Sequence, residues 1–127
     1  MLEKLLLYVD DSPVNKEIAT WALQFAKILN ARIFAVFIIK GATKRKDKRL
    51  PSNQEETAWS RLYEIEDDAF ERNVKISLIL EEGRPENKLI EILQTFNLDG
   101  MIVGNQSKLN ISELINQLPS SKTLIIR

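Results

Sequence analysis

Apolar residues in this chain fall into two kinds of pattern that alternate along its length. Leu5-Leu6-Leu7-Tyr8-Val9 is a continuous apolar run with no polar alternation, the signature of a strand buried on both faces. It ends at Asp10-Asp11-Ser12-Pro13, which predicts a helix start with Ser12 as N-cap and Pro13 at the first helical position. Val14, Ile18, Trp21, Ala22, Phe25, Ala26 and Leu29 then recur at helical spacing, with Lys16, Glu17, Gln24 and Lys27 outside the stripe. Ile33 to Ile39 is a second buried strand, so the first unit is strand, helix, strand with a right-handed crossover.

The alternation continues. A polar loop over 41–53 leads to an amphipathic helix from about Gln54 to Arg72, for which Trp59, Leu62, Tyr63, Ala69 and Phe70 are the expected inner face. Val74, Ile76, Leu78 and Leu80 alternate with Lys75 and Ser77 but not with Ile79; partial alternation predicts an edge strand. After Glu81-Glu82-Gly83-Arg84, Pro85 opens a third helix with inner residues Leu89, Ile90, Leu93 and Phe96. A fourth strand at about 99–103, a short helix near Ile111–Leu118 stopped by Pro119, and a last strand at Thr123-Leu124-Ile125-Ile126 complete the chain. Five strands interleaved with four helices predict one α/β domain over residues 1–127, an open, doubly wound parallel sheet with helices on both faces. In such sheets ligands sit at the carboxyl ends of the strands, here Asp10, Asp11, Ile38 and Gly104 to Ser107.

Composition narrows the chemistry. The 127 residues carry no net charge, which gives no whole-molecule field to recruit nucleic acid or an anionic membrane. With no cysteine and no histidine there is no disulfide, no thiolate zinc site and no Cys-His or Ser-His-Asp catalysis. No signal-peptide pattern opens the chain and no run reaches membrane-span length, so a soluble cytoplasmic protein is expected. Thr43-Lys44-Arg45-Lys46-Asp47-Lys48-Arg49 is the strongest charge run. It lacks interleaved aromatics for base stacking and is expected to be a solvated loop balanced by the acidic helix after it, so nucleic-acid binding is not expected.

Val9-Asp10-Asp11-Ser12, Trp21-Ala22-Leu23-Gln24-Phe25-Ala26, Glu82-Gly83-Arg84-Pro85, Leu98 to Gly104 and the terminal Leu124-Ile125-Ile126-Arg127 occur in an order and spacing that resemble the universal stress protein family. The resemblance implies strand order 3-2-1-4-5 and a homodimer, with Thr123, Leu124, Ile125 and Ile126 at the dimer contact. It also implies a pocket for AMP or ATP, in which Asp10 contacts the adenosine moiety, Tyr8 and Ile38 line the base, and Gly104 opens a phosphate loop of pattern G-x-x-G-(x)9-G-[S/T]. Here the second glycine position is Ser107 and the third is Gln117. The segment from Asn110 to Pro119 is shorter than the family's by about two helical turns. Asp11 adds negative charge where a triphosphate would lie. The expectation is a small dimeric stress-response or regulatory protein, not an enzyme, that neither binds nor hydrolyses ATP and works through an unknown protein partner. The alternative is a module that keeps AMP or adenosine through Tyr8, Asp10, Asp11, Ile38, Gly104 and Ser107. Ser107 and Lys108 offer a phosphate contact at the following helix, against the plainer reading of Asn110 as that helix's N-cap. The Asp10-Asp11 pair also opens phosphoacceptor receiver domains, but no third-strand aspartate follows over residues 52–62.

Overall fold

The structure is a computed structural model that describes residues 2–40 and 53–127. The basic segment at 43–49 lies outside the described residues. Nine elements follow in the expected alternation: β1 (Lys4–Val9), α1 (Asn15–Leu29), β2 (Arg32–Ile39), α2 (Asn53–Glu71), β3 (Ile76–Glu82), α3 (Pro85–Thr95), β4 (Gly100–Val103), α4 (Ile111–Gln117) and β5 (Thr123–Ile126). All five strands are parallel and lie in the order β3-β2-β1-β4-β5. Among the described residues, no helix is long and apolar enough to cross a membrane.

Strand parity divides the core in two. Leu5, Leu7 and Val9 point to the face covered by α1 and α2, while Leu6 and Tyr8 point to the face covered by α3 and α4. A strand with both faces covered has no position for a polar side chain, which is why β1 reads as a continuous apolar run.

Three asparagines end three helices. Asn30, Asn73 and Asn97 have φ of 55°, 57° and 50°, the left-handed region that asparagine tolerates better than most residues. In each case the next backbone N–H returns to the helix's last turn at 2.9 Å: Ala31 to Ala26, Val74 to Ala69 and Leu98 to Leu93. Those next residues are buried, so the turn also delivers an apolar side chain to the core.

Two expectations about helix faces are corrected. Ser12 is not the N-cap of α1: its N–H and hydroxyl both donate to Asp10 Oδ1, at 2.9 and 2.6 Å, and α1 starts at Asn15 with Val14 before it. Pro13 therefore sits in the turn before the helix. On α2 the buried stripe is Ala58, Leu62, Ile65 and Ala69, while Tyr63 and Phe70 are 53% and 82% exposed and Trp59 is half-buried. The helix is rotated by about one residue from the expected face, because small alanines let it lie closer to the sheet than an aromatic stripe would. Leu29 and Phe96 are likewise exposed at helix ends.

At the amino ends of the strands, Asp99 Oδ2 accepts the N–H groups of Glu3 and Lys4, each at 2.8 Å, and joins β1 to β4. Burial opposes the charge of this carboxylate, but the backbone donors and Lys122 outweigh it and hold its pKa below the usual value of 3.8. A folded pKa below the unfolded one gives stability that is complete above about pH 4 and is lost as pH falls through the folded value. Asp99→Asn should therefore flatten the acid limb of stability. Urea unfolding of both chains between pH 5 and pH 2 checks this: parallel curves would remove Asp99 as the cause. Glu113, also held low by its hydrogen bond to Arg84, stays common to both chains.

Candidate functional site

The strand order reverses between β1 and β4, and the chain leaves both carboxyl ends there. After β1, Asp10 takes up its own turn through Ser12, so one carboxylate oxygen is already engaged by two donors. Asn15, buried at the start of α1, donates from Nδ2 to the Tyr8 carbonyl at 3.1 Å and pins α1 to the end of β1. After β4, Ser107 N–H bonds the Gly104 carbonyl at 3.1 Å, closing a four-residue turn. These two turns face one another across a crevice lined by Asp10, Ser12, Val14, Asn15, Ile18, Gly104, Gln106 and Ser107.

That crevice is almost filled. Its volume is about 10 Å³, no more than a single water needs. A Cβ built on Gly104 would lie 2.7 Å from Ile18 Cδ1, so α1 packs closely against the chain just after β4. Ser107 Oγ is buried against this space and has no hydrogen-bond partner among the described residues.

The expected site residues divide into three environments. Asp10, Gly104 and Ser107 share the crevice. Tyr8 and Ile38 are buried among the side chains beneath α3 and α4. Burial first, then the charges of Asp10, Glu86 and Asp11, push the Tyr8 phenol well above its ordinary range, so it stays a neutral hydroxyl. Asp11 is exposed and belongs with Phe37, Ile39 and the first turn of α2, while its carbonyl accepts Arg61 Nη2 at 3.1 Å. The two acids thus diverge. Among the described residues no three His, Cys, Asp or Glu side chains converge as metal ligands.

The start of α4 carries acids. Asn110 is its N-cap, accepting the Glu113 N–H on Oδ1 at 3.1 Å. The spacing Asn110-x-x-Glu113 would suit a capping box, in which the glutamate returns to the cap's own N–H. Here Glu86, buried on α3, takes that N–H at 2.9 Å instead, and Glu113 turns away to a two-pronged pair with Arg84. Arg84, Glu86, Asn110 and Glu113 thereby fasten the start of α3 to the start of α4. Sequence reasoning missed Asn15, Arg84 and Glu86; the Asn-x-x-Glu spacing was the one local signal, and it pointed Glu113 at the wrong partner. Lys108 is exposed, and Gln117 lies at the far end of α4 from the crevice.

Thr123 to Ile126 form β5 at the sheet edge, with Thr123 and Ile126 exposed and Leu124 and Ile125 half-buried. The N–H groups of Thr123 and Arg127 donate to the carbonyls of Asp99, just before β4, and of Val103 at its end. By parity the N–H and C=O groups of Leu124 and Ile126 face outward. On the α1 side, Trp21 stacks on Phe25 at 4.9 Å and Arg127 lies over Trp21 at 5.4 Å.

A doubly wound sheet of this order, with its turns meeting at the β1–β4 reversal, defines an α/β domain of the kind that places ligands at its switch point. The universal stress protein family matches residues 1–121, and the chain belongs to that family. Universal stress protein MJ0531 of Methanocaldococcus jannaschii is 24% identical over 121 residues, covering 91% of this chain and 71% of that protein. A universal stress protein family structure from Burkholderia pseudomallei superposes with a TM-score of 0.83 at 17% identity, covering 99% of this chain and 96% of the other. The universal stress protein of Archaeoglobus fulgidus in complex with dAMP superposes at 0.76 with 15% identity, covering 99% and 98%.

Proposed function

We propose that this is a universal stress protein that works as a symmetric homodimer in the cytoplasm, regulates or protects through contact with another protein, and does not hold or hydrolyse ATP. The observation that carries the reading is the narrow crevice: among the described residues it offers about 10 Å³ where the strand order reverses, far below the space of a nucleotide. The chemistry around it argues the same way. A phosphate at the β4–α4 turn would meet Glu86 and Glu113 beside the N–H groups that usually receive it, and Asn110 and Glu86 already occupy two of those groups. The sequence also has no Gly-x-x-x-x-Gly-Lys-Ser/Thr loop of the kind that positions a triphosphate for hydrolysis.

A second reading keeps AMP or adenosine at this site. It is favoured by the dAMP bound to the Archaeoglobus fulgidus neighbour and by the unpartnered Ser107 hydroxyl beside Asp10. Thermal unfolding with millimolar AMP, ADP and ATP, with and without magnesium, separates the two. The expected result is no shift with any of them. A ligand at about 100 times its Kd would stabilise by about 2.7 kcal/mol and raise Tm by several degrees. A shift with AMP that Asp10→Ala abolishes would replace the first reading with the second, and a further increment with ATP and magnesium would overturn both.

A further inference from the structure

The face of α2 that the sequence assigns to the core stands instead beside the far edge of the sheet. Trp59, Tyr63, Glu66 and Phe70 recur at i, i+4, i+7 and i+11, one residue round from the buried stripe. The Trp59 and Tyr63 rings stack at 5.5 Å, and Trp59 packs with Ile76, Leu78 and Leu80 of β3 against the core under α2. Phe70 borders a groove of about 320 Å³ with Glu66, Asp67, Val74 and Ile76. Phe70 thus stands beside the beginning of β3, with Tyr63 and Trp59 further back along the same face of α2.

β3 itself is an edge strand whose residues Ile76 to Leu80 are half-buried. Its inward groups are fixed by two bonds, Ile33 N–H to the Lys75 carbonyl and Gly83 N–H to the Ile39 carbonyl, both 2.9 Å. Odd residues therefore face β2, and the N–H and C=O groups of Leu78 and Leu80 face outward. The Ile76 carbonyl is met by Arg32 at 3.3 Å. Charge, proline or a bulge normally protects such an edge; in β3 charge appears only at the end, Glu81-Glu82, and the stretch Ile76-Ser77-Leu78-Ile79-Leu80 has none of the three in its own sequence.

We propose that the outer edge of β3, together with the Trp59–Tyr63–Phe70 ridge, docks an extended segment of a partner protein that alternates apolar residues with lysine or arginine. The backbone of that segment would pair with Leu78 and Leu80. Its basic side chains would meet Glu66 and Asp67 on α2 and Glu81 at the strand's end, all exposed, and would lie against the exposed aromatic rings. Among the described residues the cations near this edge are Lys75, before the strand, Arg32, which is engaged by the Ile76 carbonyl and the Ser77 hydroxyl, and Arg72, which is held by Asp68 at 2.8 Å. A second copy of this chain is the poorer occupant. Pairing β3 with β3, added to β5 with β5, would extend the sheet from both edges into an open polymer.

A library of random twelve-residue peptides selected on the whole chain tests this. Enriched peptides should alternate apolar residues with Lys or Arg, and should bind at least tenfold more weakly to Glu66→Lys and to Phe70→Ser. Both positions are exposed, so the variants should fold, and unchanged far-UV circular dichroism confirms that they do. The bound peptide should slow amide exchange at Leu78 and Leu80, and N-methylation of its alternate residues should abolish binding. Peptides that bind both variants as well as the parent, acidic sequences, protection at Leu124 and Ile126 instead, or no enrichment would each overturn the proposal. Concentration-dependent protection of Leu78 and Leu80 without peptide would also overturn it, in favour of a second copy.

Discussion

Gly100→Ala should destabilise the fold by about 1–3 kcal/mol, the usual cost of inserting a methyl group where the core has no room. A Cβ at residue 100 would lie 2.8 Å from the Thr123 carbonyl oxygen and 3.2 Å from Leu5 Cδ2. A backbone oxygen has no rotamer by which to move away. Relief requires β5 to shift from β4, yet Gly100 and Thr123 are register partners in a ladder of four residue pairs. The cost should therefore fall on β5, the strand on which the proposed homodimer depends. The variant is expected to lower both Tm and the sedimentation mass at micromolar concentration. Unchanged stability would mean that β5 moves freely. A destabilised variant with unchanged mass, whether dimeric or monomeric in both chains, would mean that β5 does not make a dimer contact.

Gly104→Ala tests whether packing against α1 requires glycine at residue 104. Its added methyl group would meet Ile18 Cδ1 at 2.7 Å, and Ile18 is buried and unable to swing into solvent. The expected loss is again about 1–3 kcal/mol. Ile18→Val removes the obstructing atom and by itself should cost about 0.5–1.5 kcal/mol. If Gly104 serves packing, the double variant should be more stable than the sum of the two losses allows, with a coupling of about 0.5–3 kcal/mol. Denaturant unfolding of the four chains gives that coupling directly. Additive losses would show that the close approach to Ile18 is not what demands glycine there.

Glu86 is buried on the first turn of α3 and reaches the Asn110 N–H at 2.9 Å. A carboxylate beside the start of a helix, here Glu86 on the N–H of the cap residue Asn110, offsets the positive end that a phosphate would exploit. The narrow crevice and this carboxylate both agree with the proposed surface-mediated role.

The fold was legible because its signals are local. Continuous apolar runs at Leu5–Val9 and Ile33–Ile39 can be satisfied only by strands covered on both faces, and Pro85 and Pro119 mark a helix start and a helix end whatever surrounds them. Motif order then supplied the strand order and the family, which the observed topology and the family match bear out. Periodicity also found α2, but not its rotation: Ala58 and Trp59 begin stripes of equal period, and only contact with the sheet selects the smaller residues for the inside. Ser12 followed the sequence signs of an N-cap until Asp10, two residues earlier, took its hydroxyl. Whether Asp10, Gly104 and Ser107 line an open pocket or a closed crevice could not be read from residue types at all. That depends on how closely side chains from different elements approach one another, Ile18 of α1 beside Gly104 among them, and such distances exist only once the tertiary structure has formed.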